Sequence, residues 1–318
     1  MTLHVPQGTC ILYLWQNRHT VVIGKNQNCW RECRVNFLEQ ENGYLVRRLS
    51  GGGAVFHDLG NLNFTFIVGA GDYDVSRQLD VILEAVRSLG IHAEKTGRND
   101  ITVDGRKFSG NAFYRTGDGC YHHGTILIRA DKENMSRYLN VSKEKLASKG
   151  VTSVKSRVAN LCEFKPDITL EEVKSALVEA FSKVYGQPAV RMEEGELPQP
   201  DIDARTEKFA SWQWKYGRKI PFEYEMEKRF PWGNIQIQFH VDEGMIQDVN
   251  VFSDAMDQEM IGMLAEQLKG CAYAEEDICR AVKAVGTDAF QAGEYTGADE
   301  PQSCRIKEDI MTLVRESL

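Results

Sequence analysis

Two aspartate–glycine pairs, Asp104-Gly105 and Asp118-Gly119, separate three runs rich in strand-forming residues at 101–103, 107–115 and 121–128. Such a pair supplies the positive φ values of a tight two-residue turn and sets its flanking strands antiparallel. A doubly wound parallel sheet needs a helix between consecutive strands, and there is no room for one here. The sheet is therefore expected to be largely antiparallel.

That constraint governs how the most unusual stretch is read. RRLSGGGAVFHDLGN, Arg47 to Asn61, places Gly51, Gly52 and Gly53 after a basic pair and Ser50. Consecutive glycines let the backbone take positive φ and let a ligand approach the main-chain amides. With Arg47 and Arg48 they form a candidate cradle for phosphate or carboxylate oxygens. The plain alternative is a glycine-rich turn beside a solvated arginine pair. Antiparallel surroundings exclude the dinucleotide loop of a Rossmann fold.

Around this loop, runs at 10–17 and 20–24 are expected to form a hairpin, and 26–41 a helix. Strands are expected at 44–49, 53–56 and 62–68. Val75, Leu79, Ile82, Leu83, Val86 and Leu89 recur at helical spacing, with Asp74 as N-cap and Gly90 beyond the end. A second helix should run from a Thr169/Glu172 capping box to Tyr185, closed by Gly186. Residues 131–161 are basic and polar, and are expected to be a loop with short helices. Residues 187–206 hold three prolines and few apolar groups. They mark a boundary between domains at 1–190 and 191–318. In the second domain, alternation through Phe222, Trp232, Ile235, Ile237 and Phe239 and a Glu243-Gly244 turn leading to 245–252 predict a hairpin, with helices near 255–268 and 275–285. Nothing there clusters nucleophiles, bases or ligands.

Composition narrows the function classes. Residues 191–318 carry 26 of the 46 acidic side chains but only 14 of the 38 basic ones, so the first domain is mildly basic within a chain of net charge −8. That split suits anionic substrates or an acidic partner of the first domain and argues against a nucleic-acid surface on the second. The cysteines, at 10, 29, 33, 120, 162, 271, 279 and 304, form no CxxC and no zinc-like cluster with histidine. No run approaches membrane-helix length. MTLHVPQGTC lacks the regions of a signal peptide, so a cytoplasmic protein is expected.

Three more stretches carry chemistry. Gly97-Arg98-Asn99-Asp100 is a turn opening a strand, where Asp100 could accept hydrogen bonds or help hold a metal; an Asx-type turn explains it equally. Lys107-Phe108-Ser109-Gly110-Asn111-Ala112 leaves little bulk beside its lysine, so a ligand could lie against that strand. His122 and His123 point to opposite faces of a strand, so at most one serves a given site. Small residues, amide-rich turns and single cations suit the positioning of an anionic nucleotide better than covalent catalysis.

Taken together these motifs resemble the lipoate–protein ligase A family. The glycine stretch, GRND, KFSGNA, HHGT, KGVTSVKSRVANL and, in the C-terminal part, WQWKYG, FPWGNIQIQF and KGCAYAEEDI fall in that family's order. The resemblance implies an α+β fold. A biotin/lipoate ligase-like catalytic domain has a mixed, mostly antiparallel sheet flanked by helices, followed by a small α+β accessory domain. It implies ATP and Mg²⁺ as cofactors, lipoate as substrate, and lipoyl-AMP as intermediate. The partners implied are lipoyl-carrier proteins: the H protein of glycine cleavage and acyltransferase subunits of 2-oxo acid dehydrogenases. Neither nucleic acid nor membrane is expected. By the same resemblance Lys107 is catalytic. Trp30, Arg48, Ser50, Gly51, Gly52, Gly53, Ala54, Val55, Phe56, His57, Asn61, Ser109, Gly110, His123 and Gly124 would bind lipoate and its adenylate. Asn99, Asp100, Ala112 and Thr125 would contact the nucleotide. No protein cluster is expected to hold the metal, which rides on the ATP phosphates. The segment 149–161 resembles a loop that orders over the adenylate. Two rivals stand beside this reading: a lipoyl or octanoyl transferase using Cys120 or Cys162 as nucleophile, and a non-catalytic lipoate-binding paralogue.

Overall fold

The computed structural model describes residues 5–96, 100–117, 119–140, 158–193, 199–286 and 302–318. The chain divides into two compact units. The first comprises Met1–Val22, Arg31–Arg47 and Ala54–Ser211, and the second Ile23–Trp30, Arg48–Gly53 and Trp212–Leu318.

In chain order the strands up to residue 127 are β1 (Cys10–Trp15), β2 (Thr20–Ile23), β3 (Tyr44–Arg47), β4 (Val55–His57), β5 (Asn61–Gly69), β6 (Glu94–Thr96), β7 (Asp100–Val103), β8 (Arg106–Arg115) and β9 (Gly119–Leu127). Six of them build one sheet in the order β1-β5-β9-β8-β7-β6, with every neighbouring pair antiparallel. A smaller sheet is ordered β3-β2-β4. The expected turn between β7 and β8 forms as its residues dictate: Asp104 has φ 49° and Gly105 φ 71°.

Helices α1 (Cys29–Glu32) and α2 (Val35–Gln40) are short. They are followed by α3 (Val75–Ser88), α4 (Lys132–Tyr138), α5 (Leu170–Tyr185) and α6 (Gln199–Ala210). Asp74 caps α3 by accepting from the Arg77 N–H at 2.9 Å. Thr169 and Glu172 form the capping box of α5, and Gly186 ends it at φ 71°. Helices α3 and α5 cover one face of the six-stranded sheet, burying Ile82, Val86, Val173 and Leu177 against Phe64, Phe66, Phe108 and Ile126. Each such side chain contributes about 1.5–3 kcal/mol on full burial.

Two expectations need correction. The runs at 10–17 and 20–24 are strands but not a hairpin: β1 pairs with β5 and β2 with β4, in different sheets. Their apolar runs mark both as strands, but partners 33 to 58 residues on leave no local signal. The helix expected over 26–41 is broken after α1. There the Arg34 N–H goes to the Tyr138 carbonyl at 2.9 Å, and Cys33 bridges Leu139. Residues 97–99, 118 and 141–157 lie outside the described residues, and with them Asn99 and most of the basic loop.

The second unit holds α7 (Trp212–Tyr216) and a meander of β10 (Tyr224–Phe230), β11 (Gly233–Asp242) and β12 (Met245–Ser253). Helices α8 (Gln258–Leu268), α9 (Glu275–Ala284) and α10 (Gln302–Ser317) follow. The β11–β12 turn has the expected positive φ values at Glu243 and Gly244. Strand β10 and helix α10 were not foreseen. Ile306, Ile310, Leu313 and Val314 of α10 close the unit's core. Among the described residues no helix is long and apolar enough to cross a membrane.

Beneath the sheet a polar group is fully enclosed. His122 Nε2 donates to Asn111 Oδ1 at 2.9 Å, and Nδ1 lies 3.2 Å from the Gln78 side-chain amide. Burial lowers its pKa from 6.5 to about 3, so the ring is neutral in the folded protein. Unfolding exposes a histidine that protonates more readily. Stability from this site is therefore intact above pH 6.5 and lost as pH falls towards 3. Urea midpoints measured across that interval should fall more steeply for the native chain than for His122→Gln; equal slopes would assign the titration elsewhere.

Candidate functional site

The far face of the six-stranded sheet, turned away from α3 and α5, is where the polar candidates collect. Its arrangement depends on an irregularity. β7 pairs Ile101 with Ser109 but Thr102 with Lys107, so Phe108 is an extra residue on β8. In a regular strand Lys107 and Gly110, three apart, would face opposite ways. The bulge brings them to one side, with Phe108 and Ser109 both fully buried. A Cβ placed on Gly110 would lie 2.7 Å from both Cε and Nζ of Lys107. Glycine there leaves the lysine the space it occupies.

Lys107 Nζ contacts Asp100 Oδ1 at 2.5 Å, with the two side chains 21% and 19% exposed. Asp100 faces Gly110 across the β7–β8 ladder. The same face continues to Ala112 and His123, which are cross-strand partners, and to Thr125, whose Oγ1 accepts from the Gly110 N–H at 3.3 Å. His123 packs edge-on to Tyr121, and its neighbour His122 turns to the helix side. Ser109 and Gly124 also belong to the helix side: Ser109 opposes the buried Ile101, and a Cβ on Gly124 would meet Phe64 Cζ and the Gly110 carbonyl at 2.6 Å. These two can reach the polar face through their main chain only.

Further along the face stand residues the sequence did not single out. Asn63 and Thr65 pair with Thr125 and His123, and Trp15 pairs with Asn63. Asn61 Nδ2 donates to Asn63 Oδ1 at 2.9 Å, and both side chains are buried. Trp15 Nε1 donates to Thr65 Oγ1 at 3.0 Å and the indole packs edge-on to His57. His57 Nδ1 lies 3.3 Å from Asn17 Nδ2. The signal that could have found them is the polar residue at every second position of Asn61-Leu62-Asn63-Phe64-Thr65. Ala54, Val55 and Phe56 lead into His57 along β4, where Val55 and Phe56 pair with Val22 and Val21.

The remaining candidates, Trp30, Arg48, Ser50, Gly51, Gly52 and Gly53, belong to the second unit. Arg48 organises its own loop. Its Nη2 donates to the carbonyls of Gly51 at 2.6 Å and Gly53 at 2.9 Å, and its Nε to Ser50 Oγ at 3.1 Å. Gly52, at φ 86°, donates its N–H to the Ala255 carbonyl at 3.1 Å. A Cβ on Gly51 would lie 2.4 Å from that carbonyl oxygen, so no larger residue fits without moving the backbone. Trp30 is half exposed and stacks on Tyr216 with ring centroids 5.5 Å apart. Among the described residues no three His, Cys, Asp or Glu side chains gather as a metal site.

The Lys107 ammonium, the Asp100 carboxylate and a floor of small residues can accommodate a flat anionic ligand and neutralise charge on it. Comparison with known proteins supplies the rest. The family model for the lipoyl protein ligase A/B catalytic domain matches residues 1–182, and that for the bacterial lipoate protein ligase C-terminus matches 219–297. P. falciparum LipL1, solved in complex with lipoate, is 31% identical with a TM-score of 0.79; the match covers 95% of this chain and 87% of that one. A bipartite lipoate protein ligase from Thermoplasma acidophilum, described with its E2 lipoyl domain, is 28% identical over 68% of this chain and 88% of that one, with a TM-score of 0.58. A lipoate-protein ligase A bound with ATP is 26% identical over 65% and 86%, with a TM-score of 0.57.

Gly110 on the polar face and Gly124 on the helix side predict different behaviour in urea denaturation. Gly124→Ala forces a methyl against backbone and an aromatic ring and should cost about 2 kcal/mol. Gly110→Ala meets only the flexible end of a lysine and should change stability by less than about 0.5 kcal/mol. Equal costs would contradict the geometry.

Proposed function

This chain belongs to the lipoyl protein ligase A/B catalytic-domain family, and we propose that it is an ATP-dependent lipoate–protein ligase. In the first step a lipoate carboxylate oxygen attacks the α-phosphorus of ATP. A P–O bond forms, the bond to pyrophosphate breaks, and lipoyl-AMP results. In the second step the neutral ε-amine of a carrier lysine attacks the acyl carbon; AMP leaves and an amide forms.

The observation that carries this reading is Lys107 beside Asp100 on a face of small residues. Joining two anions demands a cation that can follow negative charge from the carboxylate to the phosphate, and a lysine ammonium on a flexible stem does so. Asp100 would hold that ammonium until the nucleotide's oxygens take over. Ala112 and Thr125, on the same face, would contact the nucleotide together with Asn99. His57, Asn61 and His123 would line the acyl-adenylate alongside main-chain groups of Ala54, Val55, Phe56, Ser109, Gly110 and Gly124. Ser50, Gly51, Gly52, Gly53 and Trp30 lie in the second unit, where Arg48 keeps the glycine loop in shape, and their assignment to lipoate rests on the family resemblance. Magnesium enters as part of the nucleotide substrate, coordinated by phosphates and water.

The domain assignment follows: 1–190 catalytic, 191–318 accessory, in a cytoplasmic protein. The carriers would be lipoyl domains, of acyltransferase subunits or of the H protein. A cysteine transferase is the weaker reading. Cys120 is fully buried, on the same side of β9 as His122, and burial pushes its thiol up from the usual range, although Arg115 opposes this.

Lipoate-dependent ATP–pyrophosphate exchange tests the proposal. The native chain should exchange, Lys107→Ala should lose at least about 100-fold, and Cys120→Ala and Cys162→Ala should keep their activity. No exchange in the native chain sinks the ligase reading, and unchanged exchange in Lys107→Ala sinks the role given to that lysine.

A further inference from the structure

One carboxylate joins both chain segments that flank Lys107. Glu163 ends a single 3₁₀ turn, Leu161–Glu163. Its Oε2 accepts from Arg106 Nη1 at 2.6 Å, and its Oε1 accepts from Lys132 Nζ at 2.5 Å and from the main-chain N–H of Asn160 at 2.7 Å. Arg106 immediately precedes Lys107 in β8, and its guanidinium also lies 5.2 Å from the centre of the Phe164 ring. Asn160 ends a short stretch, 158–160, that runs beside Lys107. Val158 bridges Lys107 in parallel, and the Ala159 N–H donates to the Lys107 carbonyl at 2.9 Å. The Asn160 amide is itself clamped to Ala130, accepting from its N–H and donating to its carbonyl, each at 2.9 Å.

The bulge makes this anchoring consequential. Strand β9 pairs with β8 only from Asn111 to Arg115. At Lys107 that edge of β8 is met instead by 158–160, while on the other edge the ladder to β7 changes register. The lysine thus stands where regular sheet pairing is weakest, and its backbone depends on what holds the 158–160 stretch. Partial burial pushes the Glu163 carboxyl up, but the Asn160 N–H, the Lys132 ammonium and the Arg106 guanidinium outweigh it and hold the group down at about 2. The anchor therefore stays charged at any working pH.

We propose that Glu163 is a positioning residue for Lys107, acting through Arg106 on one side and through residues 158–160 on the other. It rests on the role given to Lys107 above. Its side chain is 31% exposed, so solvent screens the pairs and their share of global stability is small. Their effect is directional, because a reacting group displaced by about 1 Å loses on the order of 100-fold in rate.

Glu163→Gln keeps the shape and an acceptor but removes the charge that holds two cations. Two measurements on the full chain test the proposal. In amide hydrogen exchange, the Ala159 N–H of the variant should exchange at least about tenfold faster than in the native chain, with α3 unchanged. In lipoate-dependent pyrophosphate exchange, kcat should fall about tenfold while the KM for lipoate and the thermal midpoint hold. In a Lys107→Ala background the same change should cost nothing further. Unaltered Ala159 exchange, an unaltered kcat, or a loss that adds to that of Lys107→Ala would each overturn it. If the native chain shows no pyrophosphate exchange, the ligase reading fails, and hydrogen exchange alone then decides whether Glu163 anchors the Lys107 strand.

Discussion

Phe108 is an extra residue in β8, and the polar face of the six-stranded sheet depends on it. Without the bulge Lys107 would turn to the helix side, into a core of Phe64, Phe66 and Ile126 where an ammonium has no place. With it, Lys107 lies over Gly110 and against Asp100, and Phe108 still fills the core. One inserted residue therefore satisfies two demands on the same strand, an apolar underside and a cation on top. The consequence is a weakened ladder at the lysine, which residues 158–160 and the Glu163 network make good.

The two faces of the sheet divide the chemistry between them. On the helix side His122 is neutral and enclosed and Cys120 is buried, which suits structural roles. On the other side Lys107 and Asp100 stand among small residues, His123 and a row of amides and hydroxyls, groups suited to binding and neutralising charge. Adjacent histidines at 122 and 123 make the division visible within a single dipeptide, because a strand alternates its side chains. Membership of the lipoate ligase family fits a face of this kind, whose proposed task is to bring two anions together.

How much of this the sequence discloses follows from the range of each signal. Asp104-Gly105, the Asp74 cap of α3 and the Thr169/Glu172 box act within four residues, and each appears as its residue types require. The antiparallel character of the sheet follows from such turns. What escaped was set by distant partners. β1 pairs with a strand 48 to 58 residues on rather than with its neighbour. Arg106, Lys132 and Glu163 meet from separate parts of the chain with no local pattern to announce them. The bulge itself is invisible in Lys107-Phe108-Ser109, because strand alternation alone predicts the wrong face. Arg48 shows the converse: its charge was legible, but the carbonyls of Gly51 and Gly53 that use it could only be seen in the fold.

The central claim is that Lys107 supports formation of a tightly held acyl-adenylate and that no protein nucleophile takes part. Native mass spectrometry of the chain incubated with lipoate and magnesium ATP tests this most directly. The account predicts a non-covalent complex carrying the mass of lipoyl-AMP, absent from Lys107→Ala, with the denatured protein unmodified. A covalent lipoyl adduct that survives denaturation, or a complex formed equally well without Lys107, would contradict it.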